Sequence, residues 1–306
     1  MLDRKTIKKW AIEIGFDAVG LAPARHLAEQ EQLFRGWLEQ EYHSSLEYLT
    51  RNIEKRFDPR KLVDGARTVV VCAVGYKNAI SEGYSDSCRT KIASYACNRD
   101  YHTTIKEMLH HLLARIREAD PSVSGRAFVD SAPIAEKRIA VEAGLGWIGR
   151  QSLLIHPTLG SWLHLGELVL TTEAESYDRP IEDVGCGECR RCIEHCPTQA
   201  VLGEQRAIDT ARCIACHTIE QQPTAQLDLH GWIFGCDACQ QCCPYNHRAT
   251  MHKNAQFTPL FDPRVLTPTE WLSMDEETFR TRFGTTPLCR SGLHRIQTLI
   301  KSSEQA

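Results

Sequence analysis

The sequence lacks any apolar run of about twenty residues, the length that a helix needs to cross a membrane. Its first residues lead straight into an amphipathic pattern, without the apolar stretch and small-residue cleavage site of a signal peptide. It carries little excess charge, −3 over 306 residues, so any nucleic acid must meet a local basic surface rather than a polycation. Solenoid repeats and low-complexity segments are also missing. We therefore expect a globular, cytoplasmic protein with no membrane contact.

Cysteine, in contrast, is abundant, with 14 residues in the chain. Because disulfides are disfavoured in the cytoplasm, clustered thiols there indicate metal ligands or catalysts. Four of the cysteines are scattered, namely Cys72, Cys88, Cys97 and Cys289. The other ten fall between Cys186 and Cys243, which predicts a metal-binding module in that segment.

Strand and helix patterns alternate in front of this segment. Helices are predicted over 4–15, 27–41, 101–117 and 133–143, and strands over 17–21, 67–75, 126–129, 153–155 and 163–172. This alternation predicts an α/β (α+β) domain over residues 1–180. A small module over 181–250 and a C-terminal helical extension over 251–306, packing on the core, complete the predicted organisation.

The first cysteine run has the spacing of bacterial ferredoxins. It reads Cys186-x2-Cys189-x2-Cys192-x3-Cys196-Pro197. Three thiolates two residues apart can wrap one cubane cluster, and the fourth, before proline, ligates a second cluster. A zinc ribbon would leave several thiols unused, so the spacing predicts two [4Fe–4S] clusters in a ferredoxin-like module.

The second half of the module is irregular. Its thiols are Cys213, Cys216, Cys236, Cys239, Cys242 and Cys243. Cys243 precedes a proline and therefore completes the first cluster. The second cluster takes Cys196, Cys236 and Cys239 and needs one more ligand. Spacing alone favours Cys242, with Cys213 and Cys216 as competitors.

Further motifs in the chain resemble those of the epoxyqueuosine reductases, which catalyse the last step of queuosine biosynthesis in tRNA. The matching segments are 55–59 (KRFDP), 99–102 (RDYH), 129–133 (VDSAP), 143–149 (AGLGWIG), the first cysteine run, Cys213 with 218–220 (TIE), 235–240 (GCDACQ) and Cys243-Pro244. They follow the order of the family from about residue 50 to 246, and their combination is far more specific than any single one.

The resemblance implies a cobalamin cofactor, bound base-off between the α/β domain and the cluster module. It also implies a different eighth ligand, because the family uses the cysteine matching Cys213 and usually has an aliphatic residue at Cys242 and an aromatic one at Cys216. The implied ligands are Cys186, Cys189, Cys192 and Cys243 for the first cluster and Cys196, Cys213, Cys236 and Cys239 for the second. The implied cobalamin contacts are Arg56, Ala93, Asp130, Leu154, Ala215, Asp237 and Ala238.

Asp130 matches the proton donor of the family. Taken alone, an aspartate between a strand and Ser-Ala-Pro reads more simply as a helix N-cap. The resemblance favours the catalytic role, for which we expect burial against the corrin to raise the pKa of Asp130.

The implied reaction reduces the epoxide of epoxyqueuosine at the wobble position of tRNA, with electrons passing singly from the clusters to cobalt. The implied partners are the tRNA anticodon loop and an external one-electron donor such as a flavodoxin or ferredoxin, and we expect a monomer. Two alternatives remain, a corrinoid reductive dehalogenase-like enzyme and a pure iron–sulfur electron carrier.

Overall fold

A computed structural model of the protein describes residues 1–182, 184–220 and 227–304. The predicted module therefore contains some undescribed positions, 183 and 221–226, and the last two residues of the predicted extension also lie outside the described part. The strands are β1 (Ala18–Pro23), β2 (Thr68–Gly75), β3 (Lys91–Ile92), β4 (Gly125–Phe128), β5 (Trp147–Ile148), β6 (Leu154–Ile155), β7 (Leu163–Leu170) and β8 (Trp232–Phe234). The α-helices are α1 (Arg4–Ile14), α2 (Ala28–Glu39), α3 (Ile53–Arg56), α4 (Tyr101–Ala119), α5 (Glu136–Glu142), α6 (Arg191–Glu194), α7 (Ala238–Gln241), α8 (Pro244–Arg248), α9 (Pro268–Ser273), α10 (Glu276–Phe283) and α11 (Gly292–Glu304).

The main sheet has the strand order β1-β2-β7-β4 and is antiparallel throughout. Strand β2 confirms the strand predicted over 67–75, and every residue in it is buried, as an apolar, β-branched strand covered on both faces requires. One face packs against α1 and α4, and the other packs against α5. The fold thus confirms a mixed α/β (α+β) domain, in which the sheet itself is antiparallel.

The first helix shows how local sequence sets its limits. Both carboxylate oxygens of Asp3 accept backbone N–H groups, from Lys5 and Thr6, which caps the start of α1. Gly15 ends the helix with φ of +113°, in the left-handed region that glycine adopts without strain. The helix predicted over 4–15 is therefore confirmed, with Gly15 as its C-cap.

Helix α5 is shorter than the sequence pattern predicts, because it begins at Glu136 rather than at Pro133. The intervening residues form a tight turn, in which the Ile134 N–H donates to the Ala132 carbonyl. The Ala135 N–H donates to the carbonyl of Arg56 and ties this turn to the end of α3. A contact with a distant segment thus moves the start of the helix.

The C-terminal helices pack on strand β8 and on residues from the first half of the chain. A buried apolar cluster joins Ile80 and Ile92 to Phe234, Trp271 and Phe283. Strand β3 also pairs in parallel with β8, so the α/β region and the later segments share one core. Within the described residues, no helix combines the length and apolar character needed to cross a bilayer.

Candidate functional site

Two cavities lie between the sheet and the cysteine module. Their volumes are about 470 and about 300 Å³, within the usual range for ligand pockets. Asp130, Glu136 and Lys137 line both cavities. The larger cavity is also lined by Cys213 and Cys216, so it joins the predicted catalytic acid to the cysteine module.

Asp130 stands in a turn directly after β4, with φ of +47°, an uncommon backbone conformation for a residue other than glycine. Its carboxylate accepts the Tyr101 hydroxyl at 2.5 Å, and His102 Nε2 lies 3.6 Å from the same oxygen. Its backbone N–H donates to Glu136 Oε1 at 2.6 Å. The interpretation of Asp130 as a helix cap is wrong, since the residue before α5 is Ala135.

Aromatic stacking fixes the Tyr101 hydroxyl that holds Asp130. The Tyr101 ring lies between two imidazoles, with centroids 4.1 Å from His102 and 4.2 Å from His164. His164 is buried, and this burial lowers its pKa to about 3, so it is a neutral stacking partner. The motif at 99–102 therefore places two groups, Tyr101 and His102, on the predicted acid.

The charge state of Asp130 differs from the sequence-based expectation. Burial raises the pKa of Asp130, but the hydrogen bonds from His102 and Tyr101 outweigh it and leave the pKa below its ordinary value. The expected rise is wrong because it counted burial without these two donors. Burial lowers the pKa of His102, yet the carboxylates of Asp100 and Asp130 raise it overall to about 9.

Sequence reasoning missed two further carboxyl groups beside Asp130. Burial and the charge of Asp130 raise the pKa of Glu136 to about 7. Glu167 in β7 is wholly buried, which raises its pKa well above the ordinary value. The available signal was an acidic residue inside the apolar run of β7, where a buried charge is costly.

The predicted cobalamin contacts fall into two groups. Arg56 lines the larger cavity and Leu154 the smaller one, together with Asp130. The other predicted contacts, Ala93, Ala215, Asp237 and Ala238, do not belong to the described lining of these two cavities. Asp237 is buried, and its carboxylate accepts the Ser94 N–H at 2.7 Å, so it supports the backbone of that turn.

The first predicted set of thiols surrounds a small cavity of about 40 Å³. Its cysteines are Cys186, Cys189, Cys192 and Cys243. Gln151 and Tyr245 also line it. Among the described residues, no three His, Cys, Asp or Glu side chains converge closely enough to hold one metal ion, so the thiols enclose a space rather than a point.

The second predicted set also lies together. Burial raises the pKa of Cys239, and the neighbouring thiols Cys236, Cys213 and Cys196 raise it further. Burial raises the pKa of Cys242 as well, but the thiols that raise it further, Cys192, Cys243 and Cys189, belong to the first set. Cys213 therefore lies among the second set, whereas Cys242 borders both sets, since it shares a buried cluster with Cys192, Cys196 and Cys239.

Two family models match the chain. One, described as "Epoxyqueuosine reductase QueG, DUF1730", covers residues 56–131. The other, described as "4Fe-4S double cluster binding domain", covers residues 185–246. The first match ends beside Asp130, and the second contains both sets of thiols.

Known relatives match over nearly the whole chain. An epoxyqueuosine reductase of Cyclobacterium marinum is 40% identical over 93% of this chain and 91% of its own length. The solved structure of the Streptococcus thermophilus epoxyqueuosine reductase superposes with a TM-score of 0.85 at 26% identity, over 99% of this chain and 81% of that one. A crystal structure of an epoxyqueuosine reductase with an epoxyqueuosine-modified tRNA stem loop shares the fold. Its TM-score is 0.86 at 24% identity, over 98% of this chain and 80% of that one. The chain therefore belongs to the epoxyqueuosine reductases, a family of oxidoreductases.

Proposed function

We propose that this protein reduces epoxyqueuosine to queuosine at the wobble position of tRNA, using cobalamin reduced through two [4Fe–4S] clusters. The observation that carries the proposal is the cavity that Asp130 and Cys213 line together. The names of the relatives support the reaction, and a family member has been crystallised with the modified stem loop. A tRNA substrate also agrees with a cytoplasmic location.

The proposed cluster ligands follow the two thiol groups. The first cluster takes Cys186, Cys189, Cys192 and Cys243, and the second takes Cys196, Cys213, Cys236 and Cys239. Support comes from the shared cavity of the first four thiols and the mutual electrostatic influence of the second four. The second cluster would border the larger cavity through Cys213, while an external flavodoxin or ferredoxin supplies single electrons to the monomer.

The cavity walls fit the proposed base-off cobalamin. The buried Nε of Arg56 and Nε2 of Gln151 have no hydrogen-bond partner, so each can donate to an amide or phosphate oxygen. Ile148 and Leu154 supply the apolar surface that a flat macrocycle needs. Ala93, Ala215, Asp237 and Ala238 complete the proposed contacts. When bound, cobalamin supplies a cobalt centre whose low oxidation states are strong reductants and nucleophiles.

The side chains around Asp130 hold a proton at the cavity. His102 is cationic at neutral pH because its pKa is about 9, and its Nε2 lies 3.6 Å from the Asp130 carboxylate. Tyr101 donates to the same carboxylate and fixes its direction. A proton shared by His102 and Asp130 is therefore placed to reach the oxygen released when an epoxide C–O bond breaks.

Anaerobic reconstitution tests the proposal. The protein should bind about eight irons and one cobalamin per chain, as two cubane clusters and a single cofactor require. The reduced holoenzyme should convert epoxyqueuosine in a tRNA stem loop to queuosine, and the same protein without cobalamin should not. A pure electron carrier would bind no cobalamin, and a lack of conversion by the fully loaded enzyme would contradict the assignment.

A further inference from the structure

A chain of carboxyl groups leads from the cavity into the sheet. Asp130 and Glu136 both line the two cavities, and the Asp130 N–H donates to Glu136 Oε1 at 2.6 Å. Glu167 lies behind them, wholly buried in β7. Its carboxyl group interacts with that of Glu136. Two carboxyl groups placed together away from water need an explanation, because desolvation without full compensation is costly.

Strand geometry directs Glu167 toward Glu136. Side chains alternate along a strand, and Leu165 and Val169 of β7 belong to the apolar cluster on the α5 face of the sheet. Glu167 lies between these two residues in the same register and therefore faces the helix that begins at Glu136. The two carboxyls influence each other electrostatically, and burial keeps Glu167 protonated by raising its pKa well above the ordinary value.

The proposed reaction needs two protons, one more than the proton that His102 and Asp130 share. Conversion of an epoxide to an alkene breaks both C–O bonds, consumes two electrons and releases the oxygen as water. That oxygen must therefore take up two protons, and a single carboxyl group delivers one of them. The two electrons come from the external one-electron donor through the clusters.

We infer that Glu136 and Glu167 form a buried proton relay that delivers the second proton to the departing oxygen, an inference that rests on the proposed function. Glu136 releases a proton into the cavity, and Glu167, acting through Glu136, restores it. The first proton passes through Asp130. Solvent then reprotonates the pair after water has left.

Other titratable groups surround this pair on every side. They are Asp130 after β4, Tyr101 of α4, Arg56 of α3, Lys137 of α5 and Cys72 of β2. Lys137 donates from its Nζ to the Ser152 carbonyl at 2.6 Å. Glu136 lines the cavities beside Asp130, so it can release a proton there directly.

Two isosteric substitutions, Glu136→Gln and Glu167→Gln, test the relay. Each keeps an oxygen that can accept a hydrogen bond but removes the transferable proton. Glu142→Gln is the matched control, because Glu142 ends the same helix and pairs with Arg25 outside the cavities. Single turnover of pre-reduced holoenzyme on the epoxyqueuosine stem loop should be at least about tenfold slower in both test variants. This is a conservative expectation, because general acid catalysis typically contributes about 100-fold or more. Glu142→Gln should match the wild type.

The pH profile separates a relay from a structural role. The wild-type rate should fall as pH rises through about 7, the pKa of Glu136, and Glu136→Gln should lose this fall. If the wild type converts the substrate and both test variants match Glu142→Gln in rate and profile, the relay is overturned while the proposed function stands. If the wild type does not convert the substrate at all, both are overturned.

Infrared spectroscopy of the holoenzyme gives a readout that needs no turnover. A protonated carboxylic acid has a carbonyl band that a carboxylate lacks. Above the pKa of Glu136, which is about 7, this band should be present in the wild type and in Glu142→Gln and be lost in Glu167→Gln. Its absence from the wild type would show that Glu167 carries no proton and would overturn the relay.

Discussion

The α/β region and the cysteine module differ in what holds them together. The sheet region buries two large apolar clusters, one on each face, with β2 fully enclosed between them. The clusters in the module are small, and thiols such as Cys192, Cys242 and Cys243 form much of their buried surface. Apolar burial therefore stabilises most of the first region, whereas the second is a small module that needs cross-links of another kind.

The comparison shows that different regions of one chain can supply its stability and its reactive groups. Apolar burial between the sheet and α5 positions Asp130, which follows β4, and Glu136, which begins α5, beside the cavities. The thiols, in contrast, have to serve both as core and as ligands. Loss of metal should therefore act on the module far more strongly than on the sheet, because ligand binding and folding are coupled there.

The largest expected effect is that of iron removal. Chelation of iron from the reconstituted protein should abolish hydrogen-exchange protection of α6, α7 and α8 in the module, while β2 and β7 keep theirs. Mass spectrometry of exchange with and without iron measures both regions in one sample. Equal loss of protection in the two regions would show that the sheet also depends on the clusters.

The next effect concerns one cluster. Cys213→Ala should reduce the iron content from about eight to about four per chain, since a cubane needs four thiolates. Cys242→Ala is the matched variant and should keep about eight, because Cys242 lies near the first set as a ninth thiol. Iron analysis and electron paramagnetic resonance after identical reconstitution distinguish them, and the reverse result would exchange their roles.

A smaller structural change, confined to the cavity, should remove activity alone. Asp130→Asn keeps the hydrogen bond from Tyr101 but cannot transfer a proton, so turnover should fall about 100-fold or more while iron and cobalamin contents stay unchanged. Asp120→Asn, on the surface at the end of α4, serves as the control. Wild-type turnover by Asp130→Asn would exclude the acid role.

The smallest expected effect is a pH-dependent stability of the sheet region. The pKa of His102 is raised from 6.5 to about 9. Its contribution to the free energy of unfolding is therefore fully present below about pH 6.5 and is lost as the pH rises through about 9. We expect about 1 kcal/mol, because solvent screens a side chain that is 31% exposed. The melting temperatures of the wild type and His102→Gln should differ by about 2–4 °C at about pH 6 and converge at about pH 9.5. A difference in melting temperature that grows with pH would contradict a stabilising positive charge on His102.

Much of the fold followed from local patterns. The pattern over 67–75 predicted strand β2, and the pattern over 4–15 predicted the helix α1 that Gly15 ends. Both depend on neighbours in the sequence, which the pattern contains. The start of α5 was wrong by three residues because the Ala135 N–H is taken by Arg56, a partner almost eighty positions away.

The candidate site was predictable in its residue types but not in its electrostatics. Asp130 was named as the acid, yet the direction of its pKa shift depends on Tyr101 and His102, which reach it from another helix. The partnership of Glu136 with Glu167 joins a helix to a strand and leaves only a weak sequence signal. Such contacts between separate elements are set by packing, so a one-dimensional pattern does not encode them.

The sequence alone was enough to predict a two-cluster ferredoxin pattern, because the spacing of the first cysteine run, 186–196, is a property of one short loop. It also determined the strands and helices whose periodicity is local. The tertiary structure added that Cys213 lies near Cys236 and Cys239, and that Glu167 is buried behind two carboxyls that line the cavity. The reason is physical, since Coulomb interaction and desolvation depend on distance through space, and folding brings together groups that are far apart along the chain.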